Sequence, residues 1–281
     1  LIYYNWEETT HVKSYAQMYE IFIGEPHKDL IINPKTGLSN RSDITFEELV
    51  NVFIQHGGRF VIGVDFGFSI RAVAGLYFID GSERIYFIDE LSVTGQTDGE
   101  LADEMKRRWQ HIPIEMVYAD PESPGGKKEI RMRTGWITSE KVDKNVKEGI
   151  ATVRKKLRIP GTKDTMLFVS TKCVVFLYEV VNYRNKINPT TKEPVEEVHK
   201  DNDHSCDQLR YVIHTMFGNR ADQFNFDQRV KVESSFDPRN ALRAPKPTEL
   251  GQMLGFSVSD NKPSPNDSVT KNSNSFSWSF S

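Results

Sequence analysis

The chain has 281 residues, enough for one large or two modest domains with a real core, although an apolar fraction of 38% is lean. A formal net charge of −3 and a pI near 6.2 exclude a histone-like polyanion binder that works by counterion release, so any contact with nucleic acid must be local. Cys173 and Cys206 are the only cysteines, which argues against a disulfide framework and for a reducing compartment; no window reaches transmembrane length and the first residues are not a signal peptide.

Residues 1 to 57 mix aromatics with Pro, Asn and Gly, as in Gly24-Glu25-Pro26 and Asn33-Pro34-Lys35-Thr36-Gly37, and close on a helix-like stretch from Thr45 to Gln55. They are expected to be a linker or the end of a preceding domain. Phe60 to Val64 then reads as a buried strand, and Val73 to Ile79 and Ile85 to Ile88 flank the hairpin signal Asp80-Gly81-Ser82-Glu83. Thr97 and Glu100 form a capping box ahead of Leu101, Met105 and Trp109, which share a helical face. Ile114 to Tyr118 predicts a fourth strand, ending at Asp120.

Val146, Ile150, Val153 and Leu157 recur at helical spacing, Met166 to Ser170 predicts a fifth strand, and Cys173 to Arg184 another helix. Asn188 to Pro194 breaks that helix into a loop or short hairpin before a last helix, Asp203 to Phe217. A hairpin meander followed by α/β crossovers is the RNase H-like pattern. It predicts an α/β fold, a mixed sheet flanked by helices, over residues 58 to 217. Periodicity vanishes beyond Gly218, and Ser257 to Ser281 is rich in Ser and Asn, so residues 218 to 281 are expected to be a mostly disordered tail.

The densest chemistry lies in Asp201-Asn202-Asp203-His204-Ser205-Cys206-Asp207 on the last helix. Asp203 and Asp207 are four residues apart and His204 and Asp207 three apart, so one face can present several ligands. Asp203 serves equally well as an N-cap; Asp207 sits inside the helix, where Asp has poor propensity, and is read first as a metal ligand, with an ion pair to Arg210 as the lesser alternative. Asp65 follows an apolar run, and Asp120 stands before Pro121, which holds it out of helical geometry at the strand tip. The plain alternatives are a turn acid and a helix-start cap. Parallel strands would bring both tips to one end of a sheet. Three acids from two strand ends and a distant helix suit magnesium or manganese, two of which can clamp the attacking and leaving oxygens of a phosphodiester.

The Asp-Phe-Gly at residues 65 to 67 also occurs in protein kinases, but no glycine-rich loop, strand lysine motif or His-Arg-Asp loop accompanies it. Nor is there a phosphate-cradling Gly-x-x-x-x-Gly-Lys-[Ser/Thr]: ahead of Gly126-Lys127-Lys128, Pro121 stands where the first Gly belongs, and Lys128 replaces the hydroxyl.

Gly63-Val64-Asp65-Phe66-Gly67, Tyr118-Ala119-Asp120-Pro121, the stretch from Lys144 to Ile150 and Asp203-His204-x-x-Asp207-x-x-Arg210-Tyr211 together resemble the nuclease domain of tailed-bacteriophage terminase large subunits, over about residues 58 to 217. That family cuts concatemeric viral double-stranded DNA during genome packaging. The resemblance implies a catalytic and metal-binding triad of Asp65, Asp120 and Asp207, with His204 and Asp203 as further candidate ligands of two Mg²⁺ or Mn²⁺ ions. It also implies a packaging ATPase, a portal and a small terminase subunit as partners, in the host cytoplasm. Gln208 departs from the pattern, standing where a small residue usually follows the helix acid. With Leu1 in place of an initiator Met and no ATPase motif, a nuclease-bearing part of a larger subunit is expected.

Lys127, Lys128, Arg131 and Arg133 follow Asp120, and Lys141, Lys144 and Lys147 precede the next helix. Any one of them is ordinarily a solvated helix face, but as a set beside the second acid they are candidates for sequence-independent phosphate contact, Lys127, Lys128, Arg131, Lys144 and Lys147 foremost. Substitution of each triad acid by Ala is expected to abolish cleavage without unfolding the domain. The competing readings are a Holliday-junction resolvase or other RNase H-like nuclease, an actin-like or sugar-kinase ATPase, and a non-catalytic DNA-binding scaffold.

Overall fold

The computed structural model describes residues 1–28, 43–199 and 201–218. Among them, strands β1 (Val12–Lys13), β2 (Arg59–Asp65), β3 (Arg71–Ile79), β4 (Ile85–Thr94), β5 (Ile114–Ala119) and β6 (Leu167–Ser170) form one sheet in the order β1-β6-β4-β3-β2-β5. Strands β7 (Asn185–Ile187) and β8 (Pro194–Val198) make a separate hairpin. The helices are α1 (Glu8–His11), α2 (Tyr15–Ile23), α3 (Phe46–His56), α4 (Asp98–Trp109), α5 (Pro124–Thr134), α6 (Val146–Leu157), α7 (Val174–Val180) and α8 (His204–Phe217). The antiparallel β2-β3-β4 meander is extended in parallel by β5 against β2 and by β6 against β4, which is the expected mixed sheet.

Strand periodicity sorts the two faces. Phe60, Ile62 and Val64 of β2 enter one core with Phe53 of α3 and Leu101, Met105 and Trp109 of α4. Val61 enters the other with Ile150 and Val153 of α6, Phe176 of α7 and Leu209 and Val212 of α8. A strand covered on both sides reads as an unbroken apolar run, as β2 does.

Helix α8 lies directly against β2 and β3. Gly63 and Gly75 are register partners on those strands, and a Cβ on either would come within 2.4 and 2.7 Å of the Gln208 carboxamide. The two bare positions form a recess for that side chain, whose Oε1 accepts a hydrogen bond from Tyr77 Oη at 2.8 Å. A large residue at 208 is thus matched by the sheet beneath it.

Three features depart from the sequence expectations. Residues 1–28 and 43–57, expected as a linker or the end of another domain, pack into the same compact unit as the sheet. Ile2 and Tyr3 are buried in the α8-side core, Ile2 N donates to the Tyr183 carbonyl at 2.8 Å, and β1 pairs with β6. Helix α5 was not anticipated, although Ser123 caps it, Pro124 opens it and Gly135 closes it at φ +79°. Helix α7 ends at Val180 instead of Arg184, because the Asn182 main-chain and side-chain amides take the carbonyls of Glu179 and Tyr178. Beyond Gly218 the expected tail lies outside the described residues. Among the described residues no helix is long and apolar enough to cross a membrane.

Candidate active site

Asp65 is the last residue of β2, and period-two alternation places it on the α8 side with Val61 and Gly63. Parallel pairing of β2 with β5 sets Val64 opposite Ala119, so Asp65 and Asp120 stand one step further at the same end of neighbouring strands. The Asp120 main-chain N–H extends that ladder by donating to the Val64 carbonyl at 3.1 Å. Helix α8 brings its first turn over this end: His204 Nδ1 donates to Asp65 Oδ2 at 2.7 Å. Nε2 is therefore the atom His204 has left to offer a cation.

Asp207 faces inward, with Arg210 Nη2 2.9 Å from its Oδ1 and the Tyr183 hydroxyl 3.5 Å from the same oxygen. The ion pair anticipated as an alternative is thus present. Asp203 occupies the N-cap position, but no side-chain cap bond is made; its carbonyl accepts from Asp207 N at 2.8 Å. Lys144 Nζ reaches Asp120 Oδ1 at 3.4 Å and Glu122 Oε1 at 2.6 Å, which puts the lysine at the mouth of the site.

These groups act on one another. Burial lifts the Asp65 carboxyl above its ordinary range, and the Asp207 and Asp120 charges push the same way against the His204 hydrogen bond. That bond in turn raises the His204 imidazole, against the effect of burial. Burial opposes the Arg210 charge, but Asp207 outweighs it and holds the guanidinium above its usual value. The donor set of three carboxylates and an imidazole, with mutual repulsion that a cation would relieve, fits a divalent oxygen-preferring metal. Its ligand atoms are nonetheless not gathered within 4.8 Å of one another; among the described residues the group that is comprises Asp143, Glu148 and His214.

Of the basic residues, Lys128, Arg131 and Lys147 are exposed and Lys144 is half-buried. Arg131 is held by Thr138 and Glu140, and Arg133 by Asp103 and Glu129. Lys127 corrects its expectation: it is buried in the first turn of α5, and its ammonium donates to the Ser139 carbonyl at 3.3 Å, so it is not a surface phosphate contact.

Two site residues, Tyr183 and Glu179, escaped the sequence reading, and Tyr211, part of the helix motif, had no role assigned there. Tyr211 is buried, and after burial itself the charges of Asp65, Asp207 and Asp120 raise its phenol, so this one side chain senses all three acids. Tyr183 reaches Asp207 from the loop after α7. Glu179 is fully buried and accepts the Ser205 and Cys206 N–H groups at 2.6 and 3.3 Å, capping α8 in place of Asp203; burial pushes its carboxyl up to about 7. Only the Tyr at 211 had a local cue, its i+4 spacing from Asp207.

No protein-family model matches the chain, and no curated protein matches it. Solved structures do. The chain is similar to the large terminase of a thermophilic bacteriophage in complex with ADP, at 17% identity and TM-score 0.53, over 77% of this chain and 44% of that one. A second crystal structure of the same phage's large terminase gives 18% identity and TM-score 0.53, over 77% and 45%. The fold is terminase nuclease-like. A weaker likeness, at 18% identity and TM-score 0.47, is to the g2p large terminase nuclease domain of bacteriophage SPP1 with bound Mn, over 67% of this chain and 97% of that one. The chain spans less than half the length of the thermophilic-phage terminase it matches.

Proposed function

We propose that the chain is a metal-dependent endonuclease of the large-terminase kind, hydrolysing phosphodiester bonds of double-stranded DNA during viral genome packaging. The observation that carries this reading is the convergence of Asp65 and Asp120, from the adjacent ends of two parallel strands, beneath the α8 turn that bears His204 and Asp207, in a fold of terminase type.

Asp65, Asp120 and Asp207 would hold two Mg²⁺ or Mn²⁺ ions, with His204 Nε2 as a further ligand. When bound, such ions lower the pKa of water and offset charge developing on the phosphodiester oxygens. The chain's own residues do the rest. Arg210 fixes the Asp207 carboxylate by a buried ion pair, and Tyr183 restrains the same oxygen. His204 orients Asp65 through Nδ1. Lys144, half-exposed beside Asp120, is placed to neutralise the phosphate at or next to the scissile bond, and Lys128 and Lys147 to position the backbone without reading sequence. The partners of such an enzyme are a packaging ATPase, a portal and a small subunit in the host cytoplasm.

Incubation of the purified chain with supercoiled plasmid and Mg²⁺ or Mn²⁺ tests the reading, beside Asp65→Ala and an EDTA control. Nicking and linearisation that require metal and disappear in the variant are the expected result. Cleavage that persists in a folded Asp65→Ala protein, or the lack of any divalent-metal binding, would remove the acids from the chemistry.

A further inference from the structure

Asp143 and Glu148 flank the start of α6, and His214 lies in the last turn of α8; one ligand atom from each lies within 4.8 Å of the others. Two acids near each other would mean little. The imidazole decides the matter. His214 is 2% exposed, and its Nδ1 lies 3.1 Å from Thr152 Oγ1. The Thr152 hydroxyl spends its own hydrogen on the Glu148 carbonyl at 2.9 Å, so it accepts from Nδ1–H, and the imidazole lone pair is at Nε2. Nε2 is buried and makes no hydrogen bond, yet it stands 3.2 Å from Asp143 Oδ2. The other Asp143 oxygen, Oδ1, is already occupied by Asn145 N at 2.9 Å.

In the neutral imidazole two electron-pair donors face each other, and no hydrogen bond is aligned between them. Ligands about 2.0–2.2 Å from one ion stand roughly 3 Å apart at tetrahedral or octahedral angles. From this geometry we propose that Asp143 Oδ2, His214 Nε2 and the Glu148 carboxylate form a second cation site, selective for a borderline transition metal such as Zn²⁺. One imidazole and two carboxylates are a zinc-like donor set, and Thr152 is the outer partner that sets the tautomer. The site pins the loop before α6 to the end of α8, alongside the Asp143 N bond to Thr215 Oγ1 at 3.1 Å and the Arg210 Nη1 bond to the Lys144 carbonyl at 3.3 Å. Because Lys144 is the next residue after Asp143, the bound ion would steady the lysine that pairs with Asp120. Its role is positional, and its existence does not depend on the nuclease reading.

Calorimetric titration of the full chain with Zn²⁺ tests this, using Asp65→Asn as the parent so that the first site contributes less. One Zn²⁺ per chain is expected, weakened at least tenfold by Glu148→Gln, whose parent side chain is exposed, and by Asp143→Asn. Replacement of Zn²⁺ by Co²⁺ should give visible d–d absorption that fades in the same variants. Unchanged Zn²⁺ affinity in both variants, or a parent that binds no Zn²⁺, would overturn the site.

Discussion

Arg210 changes what the loss of Asp207 should do. The guanidinium is almost wholly buried, and Asp207 is the carboxylate it pairs with. Asp207→Ala strands that charge, and a loss of about 3–5 kcal/mol is expected from denaturant midpoints. The sequence expectation that every triad alanine leaves the domain intact therefore does not extend to Asp207. Asp120→Ala is the cleaner probe. Its partner Lys144 is half-exposed, so the lost pair costs about 1 kcal/mol or less, and abolished cleavage in that variant reports on chemistry. Glu179 gives a second residue-scale prediction. Its carboxyl, ordinarily near 4.5, sits at about 7 in the folded chain, so the folded state retains a proton that the unfolded state has released. Stability is then highest below about pH 4.5 on this account and falls as pH rises through about 7. Glu179→Gln keeps an oxygen for the Ser205 and Cys206 N–H groups and should flatten that decline, by on the order of 3 kcal/mol at pH 8, as read from urea unfolding at several pH values.

At the level of elements, α8 docks by a fitted contact: Gln208 into the recess of Gly63 and Gly75. Gly75→Ala should destabilise the chain by about 1–3 kcal/mol, since a Cβ there overlaps the carboxamide. In the Gly75→Ala/Gln208→Ala double variant the alanine at 75 should cost less than it does alone, a coupling that thermal melts of the full cycle would measure; strict additivity would mean the recess is incidental. How far the elements were legible follows from the same physics. Strands β2 to β5 and helices α4, α6 and α8 carry strong periodicity or caps, and the parallel β2–β5 pairing that joins Asp65 to Asp120 follows from strand, helix, strand order. Helix α5 has only Ile130 buried among its large apolar side chains, and its two glycines hid it behind a failed phosphate-loop match. That is why Lys127 reads as a surface residue in the sequence. Helix α2 has a Ser14–Gln17 capping box and a Gly24 stop at φ +91°, but the glycine- and proline-bearing stretch after it obscured the pattern. The Asp207 surroundings were closed to sequence reading because Tyr183 and Glu179 meet it, and its helix, only through tertiary packing.

On the scale of the whole molecule, the first residues are core. The Tyr3 ring lies 5.3 Å from that of Tyr183, tilted at 44°, and Tyr183 is the residue whose hydroxyl reaches Asp207; Arg154 clasps the Ile2 carbonyl. Tyr3→Ala should cost about 3 kcal/mol or more and should loosen the Asp207 side of the site, so that metal affinity falls together with the melting temperature. An unaltered affinity in a destabilised Tyr3→Ala chain would confine its role to packing.

The capping of α8 by Glu179, with Glu90 bonded to Ser205, has a bearing on timing. Those carboxylates come from α7 and β4, so the N-terminal turn of the last helix finds its partners only once strand and helix are already seated. Asp65 and Asp120 are synthesised long before it. A growing chain therefore carries two of its acids on a sheet that lacks the turn bearing the third, and the constellation closes only when α8 docks. Under pulse-labelling hydrogen exchange the α8 amides should be the last of the sheet-contacting set to gain protection. On the proposed reading, the three acids then meet only at the end of folding.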